Sequence, residues 1–298
     1  MTQQGKAYLY AGGAVLAWST VASAFKLSLR YLDYAQLLFY ASVMSILVLG
    51  AILALQRRLG KIFSCTPRQY RRSLWLGLLN PFIYYLVLFK AYDLLPAQEA
   101  QPLNYTWAIT LALLSIVILK QRIRLRTIAA GFICYSGVLV IATRGHLESL
   151  HFSDPLGVSL ALGSTIIWAL YWIYNTRDDR DPVAGLLLNF LFGLPFIAVY
   201  CLLFSSFRIA AWQGLAGAIY VGCFEMGVTY WLWLTALKRS ENTAKVGNLI
   251  FLSPFLSLVF IHLLVGETIL ASTYFGLVLI VGGLALQSLR RTRRTSQA

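Results

Sequence analysis

Apolar residues run along this chain in blocks of about twenty, and each block closes on a short polar segment that is usually basic. An α-helix rises about 1.5 Å per residue, so about twenty residues cross the roughly 30 Å hydrocarbon layer of a bilayer. On that measure the pattern predicts ten spans, over 7–27, 35–56, 73–92, 97–119, 126–143, 156–176, 184–203, 213–236, 242–264 and 271–289. The connections are short and leave no room for a soluble domain between spans. The expected fold class is an all-α polytopic membrane protein.

Polar positions inside the blocks carry the next layer of information. The stretch Pro96-Ala97-Gln98-Glu99-Ala100-Gln101-Pro102-Leu103-Asn104-Tyr105-Thr106-Trp107 opens an apolar run, yet it holds two glutamines, an asparagine, a tyrosine and a tryptophan. At helical spacing Gln101, Asn104 and Tyr105 share a face, with Trp107 beside it. Within a membrane such a face needs protein, water or a solute against it. Hydrogen bonding between helices is the competing explanation, because polar side chains often join membrane helices.

The polar pattern also repeats. A shift of 145 residues lays Gly77, Asn80, Tyr84, Tyr85 and Ala91 over Gly222, Glu225, Thr229, Tyr230 and Ala236, and Gly131 and Gly137 over Gly276 and Gly282. A shift of 150 lays Trp18 over Trp168. A unit of five spans has an odd number of crossings, so its second copy starts from the opposite side. Two inverted five-helix repeats are therefore expected, residues 1–148 and 149–298, related by an axis in the membrane plane.

Composition sharpens this picture. The chain is 59% hydrophobic and 12% charged, against roughly 25% charged in soluble domains, and its mean hydropathy is +0.70. The net charge of +14 does not form a nucleic-acid surface, because the basic residues sit in short segments between apolar runs. Of the 25 Lys and Arg, 19 fall on one side of the expected bundle, in segments such as Arg57–Arg72, Lys120–Arg126 and Arg290–Arg294. Lys26, Arg30, Lys90, Arg144 and Arg208 fall on the other. Both termini are thus expected in the cytoplasm, with the basic tail touching anionic lipid. Asp178, Asp179 and Asp181 outnumber the arginines of the 6–7 loop, but acids count little in this rule.

Cys65, Cys134, Cys201 and Cys223 lack metal or disulfide spacing and read as packing residues. Lys6 followed by apolar residues and Ala22-Ser23-Ala24 resembles a cleaved signal, yet the charge pattern works best with the first span retained. The sequon at Asn104 lies inside a span, out of reach of glycosylation.

Helical rise then locates the chemistry. Trp18, Asn80, Asn104, Tyr105, Trp107, Trp168 and Glu225 each lie about 7 to 12 residues into their spans, roughly 10–18 Å deep. Tyr84 continues the Asn80 stripe, span six adds Thr165 and Trp172, and span nine adds Asn248 near Pro254. The layer reads as a central cavity with aromatic walls and a few amide, hydroxyl and carboxyl groups, suited to a small amphipathic solute. Ordinary packing is the competing reading for each ring, and interfacial anchoring for Tyr8 and Trp212. Glu225 either titrates during transport, coupling it to protons, or binds an ammonium group; a protonated acid bonded between helices competes with both. The sequence has no Walker A, HExxH or Gly-x-Ser-x-Gly motif and no metal-ligand cluster, so neither a cofactor nor ATP is expected. Pro81, Pro195 and Pro254 mark kinks, and Gly131, Gly137, Gly276, Gly282 and Gly283 mark close packing of spans five and ten.

Ten spans, a five-plus-five inverted repeat and the paired Trp18 and Trp168 resemble the EamA-type members of the drug/metabolite transporter superfamily, over essentially the whole chain. Asn104-Tyr105-Thr106-Trp107 is similar to a motif of the aromatic amino acid exporter branch, where proline usually follows. Ala108 stands there in this chain, implying a straighter helix. Pro254 and Glu267 have counterparts in the family, whereas Arg122 stands where a glutamate is often found. The resemblance implies an inner-membrane exporter of amino acids or related small metabolites, working by alternating access with the mid-depth residues as its lining. A carrier of cationic or lipophilic drugs is the nearest alternative. A membrane-embedded transferase is disfavoured, because no paired acids, His–acid pair or nucleophile with its base is present.

The basic-residue asymmetry generates a topology test. A single-cysteine variant at Ser149, in the 5–6 connection, should react with an impermeant thiol reagent added outside intact cells; labelling only after lysis would reverse the orientation.

Overall fold

A computed structural model describes residues 2–118, 125–148, 152, 154–175, 178–240 and 248–288. Lys120, Arg122, Arg124, Ser149, Arg177, Lys245 and the arginines after 288 lie outside these residues. Among those described, all regular structure is helical.

Helix α1 (Gln3–Ser28) turns through Asp33 into α2 (Tyr34–Leu55). Asp33 accepts from the backbone N–H groups of Ala35 and Gln36, and the Gln36 side chain returns a bond to the Asp33 N–H. This capping box satisfies donors that the first turn leaves orphaned. Thr66 and Gln69 repeat it at the start of α3 (Pro67–Gly77), where Pro67 supplies a pre-set φ. After α4 (Tyr84–Leu94) come α5 (Ala97–Tyr105), α6 (Trp107–Ile118), α7 (Leu125–Ala142) and α8 (Pro155–Asn175). The remainder is α9 (Pro182–Phe204), α10 (Trp212–Phe224), α11 (Val228–Arg239), α12 (Ser253–Phe260) and α13 (Ala271–Ser288).

Among the described residues, five stretches are long and apolar enough to cross a membrane: Tyr34–Leu55, Pro67–Leu94, Pro155–Asn175, Pro182–Phe204 and Trp212–Leu237. Their outward faces are as apolar as their inward ones. On α2 and α9, Leu47, Val199 and Leu202 point outward while Leu49 and Ile197 are fully buried. Helices that are apolar all round belong in lipid or in a large core.

Several expected spans are not single helices. Span three is interrupted over Leu78–Ile83, where Asn80 leaves the helical region (φ −145°, ψ 115°) before Pro81, because a proline ring excludes the helical conformation of the residue before it. Span four is divided at Thr106, so the straighter helix implied by Ala108 is not formed. The Thr106 hydroxyl and N–H both reach back to the Leu103 carbonyl, at 2.8 and 3.2 Å, and tighten the turn there. Span eight breaks between α10 and α11, where Gly227 adopts φ −127°, ψ −95°. The described part of span nine begins as a 3₁₀ turn, Asn248–Leu252, and Pro254 sits in the first turn of α12 rather than inside a helix.

Packing follows small residues. Helix α7 lies against α13, α2 against α9 and α10, α1 against α10 and α11, and α8 against α4 and α6. Gly137 and Gly276 face each other so closely that a Cβ on either would press on the other's carbonyl oxygen. Gly131 and Gly282 do not share that role: a Cβ at Gly131 meets only the Ile109 side chain at 3.9 Å, and one at Gly282 meets nothing within 4 Å. Gly276→Leu should therefore separate α7 from α13 and cost about 1–3 kcal/mol, as overpacking does. A thermal unfolding scan in detergent should show a clear drop in Tm for that variant and little change for Gly282→Leu.

Candidate functional site

The interruptions open a space between helices. Tyr84 begins α4 just after the Leu78–Ile83 segment; Asn104 and Tyr105 end α5, and Trp107 begins α6 across the Thr106 break. Glu225 caps α10 at the third interruption. With Trp18 of α1 and Trp168 of α8, they surround a cavity of about 210 Å³. That is small against the roughly 300–1,000 Å³ of ordinary ligand pockets. It suits a solute about the size of one ring.

Trp168 is the hub of the aromatic wall. Its ring stacks on Tyr84 with centroids 4.5 Å apart and an interplanar angle of 27°, and on Tyr171 at 5.6 Å. Trp107 and Trp172 meet it edge-on at 6.4 and 5.8 Å. Tyr230 meets Trp168 edge-on at 6.5 Å and carries the contact on to Trp18 at 6.1 Å, which packs in turn on Trp233 at 5.6 Å. Offset stacks and edge-on pairs are the favoured geometries for quadrupolar rings, so each orientation is held by its neighbours.

The polar groups are held as firmly. Tyr85 donates to Glu225 Oε1 at 3.0 Å, and Trp18 lines the same cavity. Asn104 Nδ2 donates to Ser164 Oγ at 3.0 Å and lies 3.4 Å from the Tyr84 hydroxyl. Gln101 Oε1 and Trp172 Nε1, both on the cavity wall, are buried without a hydrogen-bond partner.

Seven of the nine residues expected from the sequence thus line one cavity: Trp18, Tyr84, Asn104, Tyr105, Trp107, Trp168 and Glu225. Asn80 does not. The interruption at Pro81 turns it away from Tyr84, and it lies fully buried beside Tyr171. Asn248 begins the 3₁₀ turn, and its side chain lies outside what is described. Gly77 and Gly222 serve packing, against α9 and α2 respectively. Thr165 bonds Thr110 within the core. Tyr92, Tyr230 and Trp233 line the wall without having been singled out as site residues. Tyr230 had a signal, since the 145-residue shift places Tyr85 upon it; Trp233 follows from its i, i+3 spacing to Tyr230.

The two ends of the cavity differ. At the end bearing residues 29–33, 95–97 and 265–270, charged side chains close the corner between α4 and α5. Lys26 donates to the carbonyl oxygens of Tyr92 and Leu95, both at 2.7 Å. Glu267 accepts from the backbone N–H groups of Ala97 and Gln98 at 2.8 and 3.0 Å. Arg30 reaches the Val265 carbonyl at 2.7 Å, and Arg144 pairs with the buried Glu99 at 2.8 Å. At the basic end a second cavity of about 350 Å³ lies between Tyr10, Arg58, Asp181 and Arg239. Leu234 lines both spaces and stands between them.

The EamA-like transporter family matches residues 5–143 and 155–289. The chain belongs to this family. Members of the EamA-like family are transporters, and that is the class of protein this chain joins. An uncharacterized inner membrane transporter of Escherichia coli K12, YhbE, is 25% identical over 271 residues, 88% of this chain and 82% of YhbE. The uncharacterized transporter YvbV of Bacillus subtilis is 26% identical over 70% of this chain and 69% of its own. The aromatic amino acid exporter YddG of Ancylobacter novellus is 26% identical over 73% of this chain and 76% of its own. A solved crystal structure shares the fold with a TM-score of 0.65, at 20% identity, covering 95% of this chain and 96% of that one.

Within the EamA fold, Asp181 joins the basic-end cavity to the start of α9. Burial pushes its carboxyl up, but the Lys61 ammonium at 3.1 Å and the N–H groups of Ala184 and Val183 outweigh that and hold it below the usual range. A carboxyl depressed in the folded state stabilises above its unfolded pKa, near 3.9, and loses that contribution as pH falls through the folded value. Asp181→Asn should cost about 1 kcal/mol at neutral pH, allowing for solvent screening of a half-exposed Lys61. Melting curves of wild type and variant should draw together as pH falls from the unfolded pKa through the lower folded value; a deficit that does not shrink over that fall would mean packing, not charge, is lost.

Proposed function

We propose that this protein is an inner-membrane exporter of amino acids or related small metabolites, working by alternating access through the aromatic cavity. Trp18, Tyr84, Asn104, Tyr105, Trp107, Trp168 and Glu225 contact the solute. Two inverted five-helix repeats, residues 1–148 and 149–298, rock about that site, with both termini cytoplasmic. The observation that carries the reading is the convergence of residues from six separate helices on one ring-sized cavity with unlike ends. One end is closed by charge-assisted bonds. The other leads past Leu234 to a second, wider space at the basic end. Such a form corresponds to the state open toward the cytoplasm, ready to load an export substrate.

Helix pairing supports the repeat. Exchanging the halves turns the α3–α9 contact into the α10–α2 contact, and leaves α7–α13 as a self-related pair. Interruptions at Asn80 and Glu225 stand at positions related by the same shift. Glu225, the acid of the cavity wall, is the natural seat of a coupled proton. Export of an aromatic amino acid by the Ancylobacter relative supports the solute class.

The test is flux of the natural amino acids in proteoliposomes, with and without a pH gradient. Trp168→Ala removes the ring on which Tyr84 and Tyr171 stack and opens the wall. It should lower flux about tenfold, the effect of roughly 1.4 kcal/mol. Trp212→Ala, a highly exposed ring at the start of α10, should stay within about twofold of wild type. Equal losses in the two variants, or a loss in Trp168→Ala explained by aggregation on size exclusion, would remove the cavity from the transport path.

A further inference from the structure

The cavity wall is unbalanced in its polar chemistry. Glu225 is its one acid, and among the described residues lining it there is no Lys, Arg or His. Lys26 comes near through the Tyr92 backbone, but its ammonium is committed to the Tyr92 and Leu95 carbonyl oxygens. One donor, Tyr85, reaches the Glu225 carboxyl. A carboxylate has about four acceptor positions, so this leaves capacity to accept from a solute. Gln101 Oε1 is a second acceptor, 4% exposed as a residue and without a partner. A buried acceptor left unpaired is costly, so the wall is complete only when something donates to it.

Donors that could receive a solute carboxylate are all neutral among the described residues of the wall. The Asn104 amide N–H groups are directed at Ser164 and Tyr84. Trp172 Nε1, without a partner among the described residues, and the other indole N–H groups of the wall suit a hydroxyl or carbonyl oxygen and bring no charge to offset a carboxylate. Phenolic hydroxyls donate or accept and do not discriminate. A carboxylate in this small volume would stand beside the Glu225 carboxyl, itself an acid, with no cation among the lining residues described. The rings favour the opposite sign, because their faces attract ammonium groups and cover an apolar body.

We infer that the preferred solute is a monocationic amine carrying one ring or a comparable apolar body and no carboxylate, its ammonium donating to Glu225 and Gln101. This rests on the transport reading above and narrows it, from amino acids and related metabolites to amines that lack the acid group. The amine would lie between the Trp168–Tyr84 stack and the Trp18–Trp233 wall.

Three probes sharing a phenyl ring separate the possibilities: 2-phenylethylamine, phenylalanine and 3-phenylpropionate. Binding to the purified full chain is followed by tryptophan fluorescence, and flux by mass spectrometry of proteoliposome contents. The amine should bind at least about tenfold tighter than phenylalanine, with 3-phenylpropionate weakest. Glu225→Gln should weaken the amine about tenfold and so remove its advantage over 3-phenylpropionate. Gln101→Leu should weaken the amine about three- to tenfold. Phenylalanine bound and moved as well as the amine would overturn the inference and leave the transport reading standing. Absence of binding and flux for all three would overturn both. The wild-type comparison decides the matter even where a variant fails to fold.

Discussion

A main chain in hydrocarbon has no water to complete its hydrogen bonds, and the structure is arranged around that constraint. A continuous helix satisfies it internally. Each interruption releases backbone groups that the rest of the protein must take up. At the α10–α11 break the Ser45 hydroxyl of α2 donates to the Met226 carbonyl at 2.9 Å. At Thr106 the freed Leu103 carbonyl is taken by the threonine's own hydroxyl. At the α4–α5 corner the work passes to full charges, Lys26 on carbonyl oxygens and Glu267 on N–H groups. Non-helical backbone at depth is tolerable only where protein or a cavity borders it, and the breaks at Thr106 and Glu225 both adjoin the cavity wall.

That constraint explains which parts of the architecture could be read from residues alone. Length and apolarity of the runs gave the helical membrane class, because hydrocarbon thickness and helical rise are fixed numbers. Depth counting brought Trp18, Asn80, Asn104, Tyr105, Trp107, Trp168 and Glu225 to one layer, and all but Asn80 line the cavity, because depth survives a kink. Facing does not. Asn80 and Tyr84 are four apart and share a face on a straight helix, but Asn80 itself leaves helical geometry. The two side chains therefore diverge, one to Tyr171 and the other to Trp168. Tyr92 was out of reach for the complementary reason: it sits two turns beyond Tyr84, near the expected end of its span, and depth counting passed it over. The second cavity at the basic end depends on Asp181, Arg58 and Arg239 approaching across large sequence distances, which no local pattern encodes.

The aromatic groups divide between two duties. Trp168 is only 8% exposed and carries stacks on both sides, so it fixes the shape of the wall as much as it offers surface. Trp18 packs on Tyr230 and Trp233, joining the first span to the first half of α11. A substitution at Trp18 leaves two rings of α11 without their neighbour, whereas one at Trp107, which touches Trp168 only edge-on, disturbs mainly contact area.

The corner at Leu95–Pro96 has a further consequence for how the two halves of the chain hold together. Lys26 comes from α1 and Glu267 from the segment after Ile261–Val265, yet they grip the two sides of the same bend. Both side chains are partly exposed, so the bend is tied where charge remains within reach of water. A short bend with free carbonyl and N–H groups on either side thus serves as a rivet: three segments far apart in sequence meet there through bonds between side chains and main chain, and the identity of Leu95 and Pro96 themselves matters less to it than the shape of their backbone.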